Sequence, residues 1–272
     1  MLPLFDANND PGPDFASLLR MQRPAPDAAP TASSDPLTIT HGTTVVAVRT
    51  VDGVVMAGDR RATAGNLISH RSMEKVFPAD RYSGVAIAGA AGPAMEMVKL
   101  FQLQLEHYEK VEGQHLSLEG KANQLSSMVR NHLPAAMQGM AVVPLFAGYD
   151  QQRRVGRLFE FDVTGGRYEE LHHAATGSGS LHAGTVVKIG YREGIATADA
   201  IDLCIRALFE AADEDSATGG PDLIRGIFPI VATIDVDGFT RLDDDEIRTR
   251  FEGLISTLSP STSNGADGGD RA

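Results

Sequence analysis

Among the groups in this chain of 272 residues able to attack a carbonyl or hold a metal, setting decides which can act. The one cysteine, Cys204, sits among Ala200, Leu203, Ala207, Leu208 and Ala211 at helical spacing, the setting of a buried, inert thiol. His172 and His173 are adjacent, so on a strand they face opposite ways and cannot both ligate one ion. Asp243-Asp244-Asp245 reads more readily as the solvated start of a helix than as a cation site. Gly177-Ser178-Gly179-Ser180 lacks the third glycine of a dinucleotide loop, and no G-x-x-x-x-G-K-[ST], H-E-x-x-H or C-x-x-C occurs. No metal and no cofactor is expected. What stands out is Thr40-His41-Gly42-Thr43-Thr44-Val45-Val46-Ala47-Val48, where a proline-rich leader meets a strand-like run through Gly42-Thr43. Such a boundary invites cleavage, although taken alone Thr43 reads as an ordinary strand residue, since threonine favours strands. Taken singly, Lys75 reads as a surface lysine, Asp59 as a turn aspartate paired with Arg60 or Arg61, and Gly89 as a turn glycine.

The elements that position these residues follow from periodicity. Thr43–Val48 and Val54–Gly58 are β-branched, apolar runs around Asp52-Gly53, a dipeptide favoured in tight hairpins. Short strands are expected at Asn66–Ile68, Glu74–Phe77 and Gly84–Ala88. Ala94, Met97, Val98, Phe101, Leu105 and Tyr108 then mark an amphipathic helix, and a second helix spans Ser117 to Gln138 with a bend at Pro134. The order returns with strands at Val142–Tyr149, Arg157–Val163 and Tyr168–His172, helices at Leu181–Gly190 and Thr197–Asp213, and a hairpin, Pro229–Asp235 to Phe239–Leu242, turning at Asp237-Gly238. Each antiparallel sheet needs a covered face, and two stacked sheets with helices outside cover every apolar stripe. The expected fold is a four-layer α/β/β/α sandwich of two antiparallel sheets flanked by helices.

Composition sets the outer bounds. With 42% hydrophobic and 22% charged residues the chain can bury a substantial core. Its net charge of −12, with no lysine- or arginine-rich run and no tryptophan, argues against unassisted binding of nucleic acid or an anionic membrane. No run reaches the roughly 18 apolar residues of a spanning helix, and neither a signal peptide nor an anchor is read. These features suit the cytoplasm. Seven of the fourteen prolines fall in the first 36 residues, so residues 1–42 are expected to resist packing, apart from a helical piece near Asp14–Met21. Residues 43–258 form the expected folded domain, and 259–272 a loose tail.

Gly42-Thr43-Thr44, Gly58-Asp59-Arg60-Arg61-Ala62-Thr63, Lys75-Val76 and Ile87-Ala88-Gly89 occur in an order and spacing that resemble proteasome β-subunits, from about Thr40 to Ile255. Leu105-Glu106-His107-Tyr108-Glu109-Lys110, Ala136-Met137-Gln138-Gly139 and the run from Asp213 to Asp222 are similar to the actinobacterial branch. The resemblance implies an N-terminal-nucleophile hydrolase whose leader is cut autocatalytically between Gly42 and Thr43. Thr43 would then be the nucleophile and its freed α-amine the base. A threonine hydroxyl is a poor nucleophile near neutral pH and needs such a base, whereas the amide nitrogen of the uncut chain cannot accept a proton. By the same resemblance Lys75 favours deprotonation of Thr43, Asp59 holds Lys75, and the Gly89 N–H serves the oxyanion. Ser178, Asp215 and Thr218 form the outer shell binding the amine of Thr43, with threonine standing at 218 where the family more often has serine. Ala62, Met73, Phe77, Ile87, Ala91 and Met95 match an apolar primary pocket, while Thr63 and Ala91 pair with the substrate backbone.

The implied partners are proteasome α-subunits and further copies of this chain, in a barrel of two β heptamers capped by two α heptamers. A separate ring ATPase and substrates tagged with a ubiquitin-like protein complete the set. Two other readings remain at this point: a non-catalytic scaffold or gating subunit of the same fold, and another N-terminal-nucleophile amidohydrolase.

Overall fold

Residues alternate strictly between two apolar environments along the first hairpin, and that alternation builds the layers. A computed structural model describes residues 42–258. In β1 (Thr44–Arg49) and β2 (Val54–Gly58), Val45, Ala47, Val54 and Met56 face one core, while Val46, Val48, Val55 and Ala57 face another. Successive side chains on a strand point to opposite faces, so a strand apolar at every position is buried on both sides. The remaining strands are β3 (Ala62–Ala64), β4 (Leu67–His70), β5 (Val76–Asp80), β6 (Ser83–Gly89), β7 (Val142–Asp150), β8 (Val155–Phe161), β9 (Arg167–Glu170), β10 (His173–Gly177), β11 (Ile230–Ile234) and β12 (Phe239–Arg241). One antiparallel sheet has the order β10-β1-β2-β11-β12 and the other β5-β6-β7-β8-β9, while β3 and β4 form a separate ribbon.

The core between the sheets joins Val45 and Met56 to Ala86, Leu145, Leu158 and Ile230. Helices α1 (Ala91–Glu112) and α2 (Leu118–Asn131) cover the outer face of the second sheet, packing Phe101 and Leu125 against Phe146 and Phe159. On the other side α4 (Ser180–Gly190), α5 (Thr197–Glu214) and α6 (Asp244–Leu258) cover the first sheet, with Cys204, Leu208 and Phe251 in the contact. The expected four-layer α/β/β/α sandwich is therefore present. Full burial of one such side chain stabilises by about 1.5–3 kcal/mol, so the three cores dominate the forces holding the layers in register. Among the described residues no helix is long and apolar enough to cross a membrane.

Several boundaries differ from expectation. The helix read as Ser117 to Gln138 is two: α2 starts behind Ser117, whose hydroxyl accepts from Gly120 N, and stops at His132, before the one-turn α3 (Leu133–Ala136) that carries Pro134 in its first turn. Proline suits a first turn, where its missing N–H has no partner to lose. The strand expected at Tyr168–His172 ends at Glu170, because β9 borders the second sheet and the chain bends at Leu171-His172 to enter the first as β10. Strands β3 and β10 were not foreseen. Asp243-Asp244-Asp245 does open a helix, and α6 then runs to Leu258 on buried Ile247 and Phe251. The helical piece near Asp14–Met21 and the tail 259–272 lie outside the described residues.

Candidate active site

Strand β1 delivers Thr43 to the end of the first sheet, where its carbonyl accepts from Ser178 N at 2.8 Å. Gly177, the last residue of β10 and paired with Thr44 of β1, has φ +103°, and a Cβ there would lie 1.9 Å from the Thr43 oxygen. Only glycine permits this approach. Gly42 remains joined to Thr43, so the Thr43 nitrogen is an amide; it donates to Ser178 Oγ at 3.3 Å. The Thr43 hydroxyl donates to the Gly42 carbonyl oxygen at 2.8 Å, and the Gly42 N–H donates to Thr63 Oγ1 at 3.2 Å.

Asp59 directly follows β2, with no exposed surface and four donors around it. Its Oδ1 accepts from Thr44 N at 2.8 Å and Lys75 Nζ at 2.6 Å, and its Oδ2 from Arg61 N and Gly219 N, both at 2.8 Å. A buried carboxylate is tolerable only when so satisfied. Lys75 precedes β5 and is 1% exposed, contrary to the surface placement its residue type suggests. Its ammonium uses all three donors, on Asp59, on the Arg61 carbonyl at 2.6 Å and on the Gly42 carbonyl at 3.3 Å. Burial pushes its pKa below the usual 10.5, against the opposing pull of Asp59. The alternative pairing of Asp59 with the side chain of Arg60 or Arg61 is not what forms: Arg60 reaches Asp244, and Arg61 reaches the Ser216 carbonyl.

A second polar chain flanks the first. Asp215 Oδ2 accepts from Ser178 Oγ at 2.5 Å and Thr218 Oγ1 at 2.6 Å, and Oδ1 accepts from Ala217 N. Burial works to raise the Asp215 pKa, yet these hydrogen bonds outweigh it and hold the carboxyl below its usual 3.8. Thr218 makes no hydrogen bond to Thr43. Its hydroxyl lies 2.5 Å from Thr44 Oγ1, which in turn accepts from Gly179 N, so Thr218 supports the neighbour of Thr43.

Gly89 closes β6 at φ +109°, where a Cβ would lie 2.1 Å from the Ala141 carbonyl oxygen. The Gly42 oxygen is held by Lys75 and the Thr43 hydroxyl, and the Gly89 N–H is not among its hydrogen-bond donors. Of the expected pocket residues, Ile87 is buried, and Phe77 and Met95 are partly buried against the same core beside α1. Ala62 is buried in β3, Ala91 begins α1, and Met73 is half-buried, its N–H bonded to the Arg60 carbonyl. The Arg61 carbonyl, the Gly219 N–H, the Thr44 hydroxyl and Ala217 were not foreseen. Three of these are backbone contacts or backbone-dominated, and residue type encodes them only through the glycines at 219 and 220.

The family described as proteasome subunit matches residues 39–224 of this chain. A proteasome subunit beta of Acidimicrobium ferrooxidans is 60% identical over 245 residues, covering 89% of each chain. One from Streptomyces griseus is 63% identical over 206 residues, covering 76% of this chain and 73% of its own. A third, from Acidothermus cellulolyticus, is 54% identical over 251 residues, covering 89% and 86%.

Proposed function

This chain belongs to the proteasome subunit family, as a β-subunit, and we propose that it is a catalytic one: a threonine endopeptidase that frees its own nucleophile by cutting between Gly42 and Thr43. β-Subunits of this family assemble with α-subunits and with further copies of themselves in a 20S core. The observation that carries the proposal is the Thr43 hydroxyl, 2.8 Å from the oxygen of the adjoining Gly42 carbonyl, with the Lys75 ammonium on that same oxygen.

Self-cleavage starts with Thr43 Oγ1 attacking the Gly42 carbonyl carbon as its proton moves to the departing nitrogen. The Gly42–Thr43 C–N bond breaks to leave an ester on Oγ1, and water hydrolyses that ester, releasing the leader with a Gly42 carboxylate and restoring the hydroxyl. Lys75 polarises that carbonyl, and its burial lowers the cost of giving up a proton. As charge grows on the Gly42 oxygen, the Gly89 N–H becomes the fitting donor. Oxyanion donors are aimed at the transition-state oxygen rather than the ground-state carbonyl. Once the leader leaves, the Thr43 nitrogen is an amine of ordinary pKa about 7.7–8.0 and serves as the base for later turnovers. Ser178, backed by Asp215, stands 3.3 Å from that nitrogen to orient it. Thr218 acts at one remove, through Asp215 and Thr44. Thr63, which holds the Gly42 N–H, would hold the backbone of a substrate in the same place. The apolar lining of Ala62, Met73, Phe77, Ile87, Ala91 and Met95 favours a hydrophobic side chain before the cut.

In the wider reading the enzyme works in the cytoplasm within heptameric rings, fed by a separate ring ATPase with proteins bearing a ubiquitin-like tag. The intact mass of the chain after co-expression with an α-subunit tests the central claim. Loss of residues 1–42 is expected in the wild type and not in Thr43→Ala, which also hydrolyses no peptide. A leader retained by the wild type in a complete particle would instead make this chain a scaffold subunit.

A further inference from the structure

The segments that brace Asp59 also wall a separate hollow of about 40 Å³. It is lined by Arg60, Arg61 and Arg71, by the backbone at Gly219-Gly220, and by Asp222. Water needs about 10–15 Å³ of such space, so this one takes a group of a few heavy atoms and excludes a sugar or a base. Its charge is one-sided. Asp222, the one acid in the lining, already pairs with Arg225 at 2.7 Å and accepts from the Ile224 and Arg225 N–H groups.

The arginines, by contrast, keep donors to spare. Arg60 gives one nitrogen to Asp244 at 2.6 Å, but its Nε is buried and without a hydrogen-bond partner. Arg61 gives one nitrogen to the Ser216 carbonyl at 2.8 Å. Arg71 is exposed and forms no ion pair among the described residues. Each guanidinium carries five donors in a planar fork suited to two oxygens. Three like charges around one small space repel, and a buried N–H without an acceptor is costly. An oxyanion seated between the arginines relieves the repulsion, and one within reach of Arg60 Nε supplies its missing acceptor.

We propose that Arg60, Arg61 and Arg71 form a binding site for a small oxyanion, a phosphate or carboxylate group, beside the Asp59 turn. The Arg61 and Gly219 N–H groups both bond Asp59 Oδ2, so an anion held there stiffens the turn whose Asp59 holds the Lys75 ammonium. The inference does not depend on Thr43 being a nucleophile. Two sources share this chemistry: a free ion, and an acidic side chain of a neighbouring copy in the particle.

The test is a titration of the full-length chain with inorganic phosphate at constant ionic strength, followed by melting temperature and by phosphorus NMR line width. The wild type should show a saturable rise. Arg71→Ala should weaken binding roughly tenfold, the effect of losing one charge-assisted hydrogen bond, and Arg71→Glu should abolish it. Both substitutions are at an exposed position, so the fold serves as its own control by circular dichroism. An equal response in all three proteins, or an equal response to chloride at matched ionic strength, overturns the site. Repeating the titration on the particle assembled with α-subunits separates the sources. Phosphate binding that persists identifies a free ion. Binding lost on assembly, together with failure of Arg71→Glu to assemble, identifies a neighbour's carboxylate.

Discussion

On the proposed cut between Gly42 and Thr43, Gly42 is the residue whose replacement tells most about self-cleavage, because it would depart with the leader. A Cβ on Gly42 would sit 2.1 Å from the Ala217 Cβ, 2.5 Å from its carbonyl oxygen and 2.6 Å from its Cα. Real atoms do not approach so closely, and Ala217 is tied down by its N–H bond to Asp215 Oδ1. In Gly42→Ala the shift therefore falls on Gly42, whose carbonyl moves off Lys75 and the Thr43 hydroxyl. Displacements of about 1 Å in a reacting group cost about a hundredfold in rate, so release of residues 1–42 should slow by about that factor in a time course of intact mass. Chains that do complete the cut are identical to wild type, so their peptidase kcat/KM should be unchanged. Release at the wild-type rate would show that the Ala217 contact does not position the scissile carbonyl. The Lys75 site shows why one residue type is a poor guide. Lysines prefer the surface, and the acceptors that make burial of Lys75 tolerable are Asp59, sixteen positions earlier, and the backbone oxygens of Arg61 and Gly42. Its motif context pointed to the site, but its burial and third acceptor were visible only in the folded chain.

The proposed specificity rests on strand and helix elements: β5, β6 and α1 bring Phe77, Ile87 and Met95 to one apolar core cluster, and on the proposed reading these residues also line the primary pocket. Burying a charge against such a lining without a partner is costly. Fluorogenic peptides ending in Tyr should therefore be cut by the processed enzyme at least about tenfold faster than those ending in Arg or Glu, a modest part of the desolvation penalty. Equal kcat/KM for the three would show that the lining does not select. The same elements show where periodicity is legible and where it fails. The unbroken apolar runs at Thr43–Val48 and Val54–Gly58 read as a hairpin, and the sandwich followed from the order of strands and helices, whereas the division of Val45 and Ala47 from Val46 and Val48 between two cores shows only in the fold. Ala62–Ala64 is too short to show any period, and its partner β4 is exposed along its length, so the ribbon they form leaves no apolar pattern. Strand β10 begins three residues after β9 ends, and only the change of sheet separates them. Crossing from one sheet to another is a tertiary event that local composition does not record.

At the scale of the whole molecule the question is what covers the apolar surface left outside the three cores. Helix α1 is apolar on two faces. Ala94, Met97, Val98, Phe101 and Leu105 are buried against the second sheet, whereas Leu100, Leu103 and Val111 lie outward, Leu103 60% exposed and Val111 65%. The spacing of 100, 103 and 111 aligns these three along one outer stripe. Scattered apolar residues on a surface are ordinary, but an aligned stripe marks contact with a partner, and assembly with α-subunits and further copies supplies one. Leu103→Asp places a charge in the middle of the stripe without touching the core, so the isolated chain should keep its far-ultraviolet circular dichroism. Co-expressed with an α-subunit, the variant should yield at least about tenfold fewer complete particles by native mass spectrometry, because a charge desolvated at an interface without a partner is strongly unfavourable. Wild-type yields of full particles would show that the outer stripe of α1 stays in water, and would move the contact to another face of the molecule. Read with the intact mass of the same sample, the result also reveals whether cutting at Gly42-Thr43 waits for assembly. Uncut chain accumulating outside particles means that enclosure precedes activation. Complete cutting in the unassembled fraction means that the geometry around Thr43 is sufficient alone.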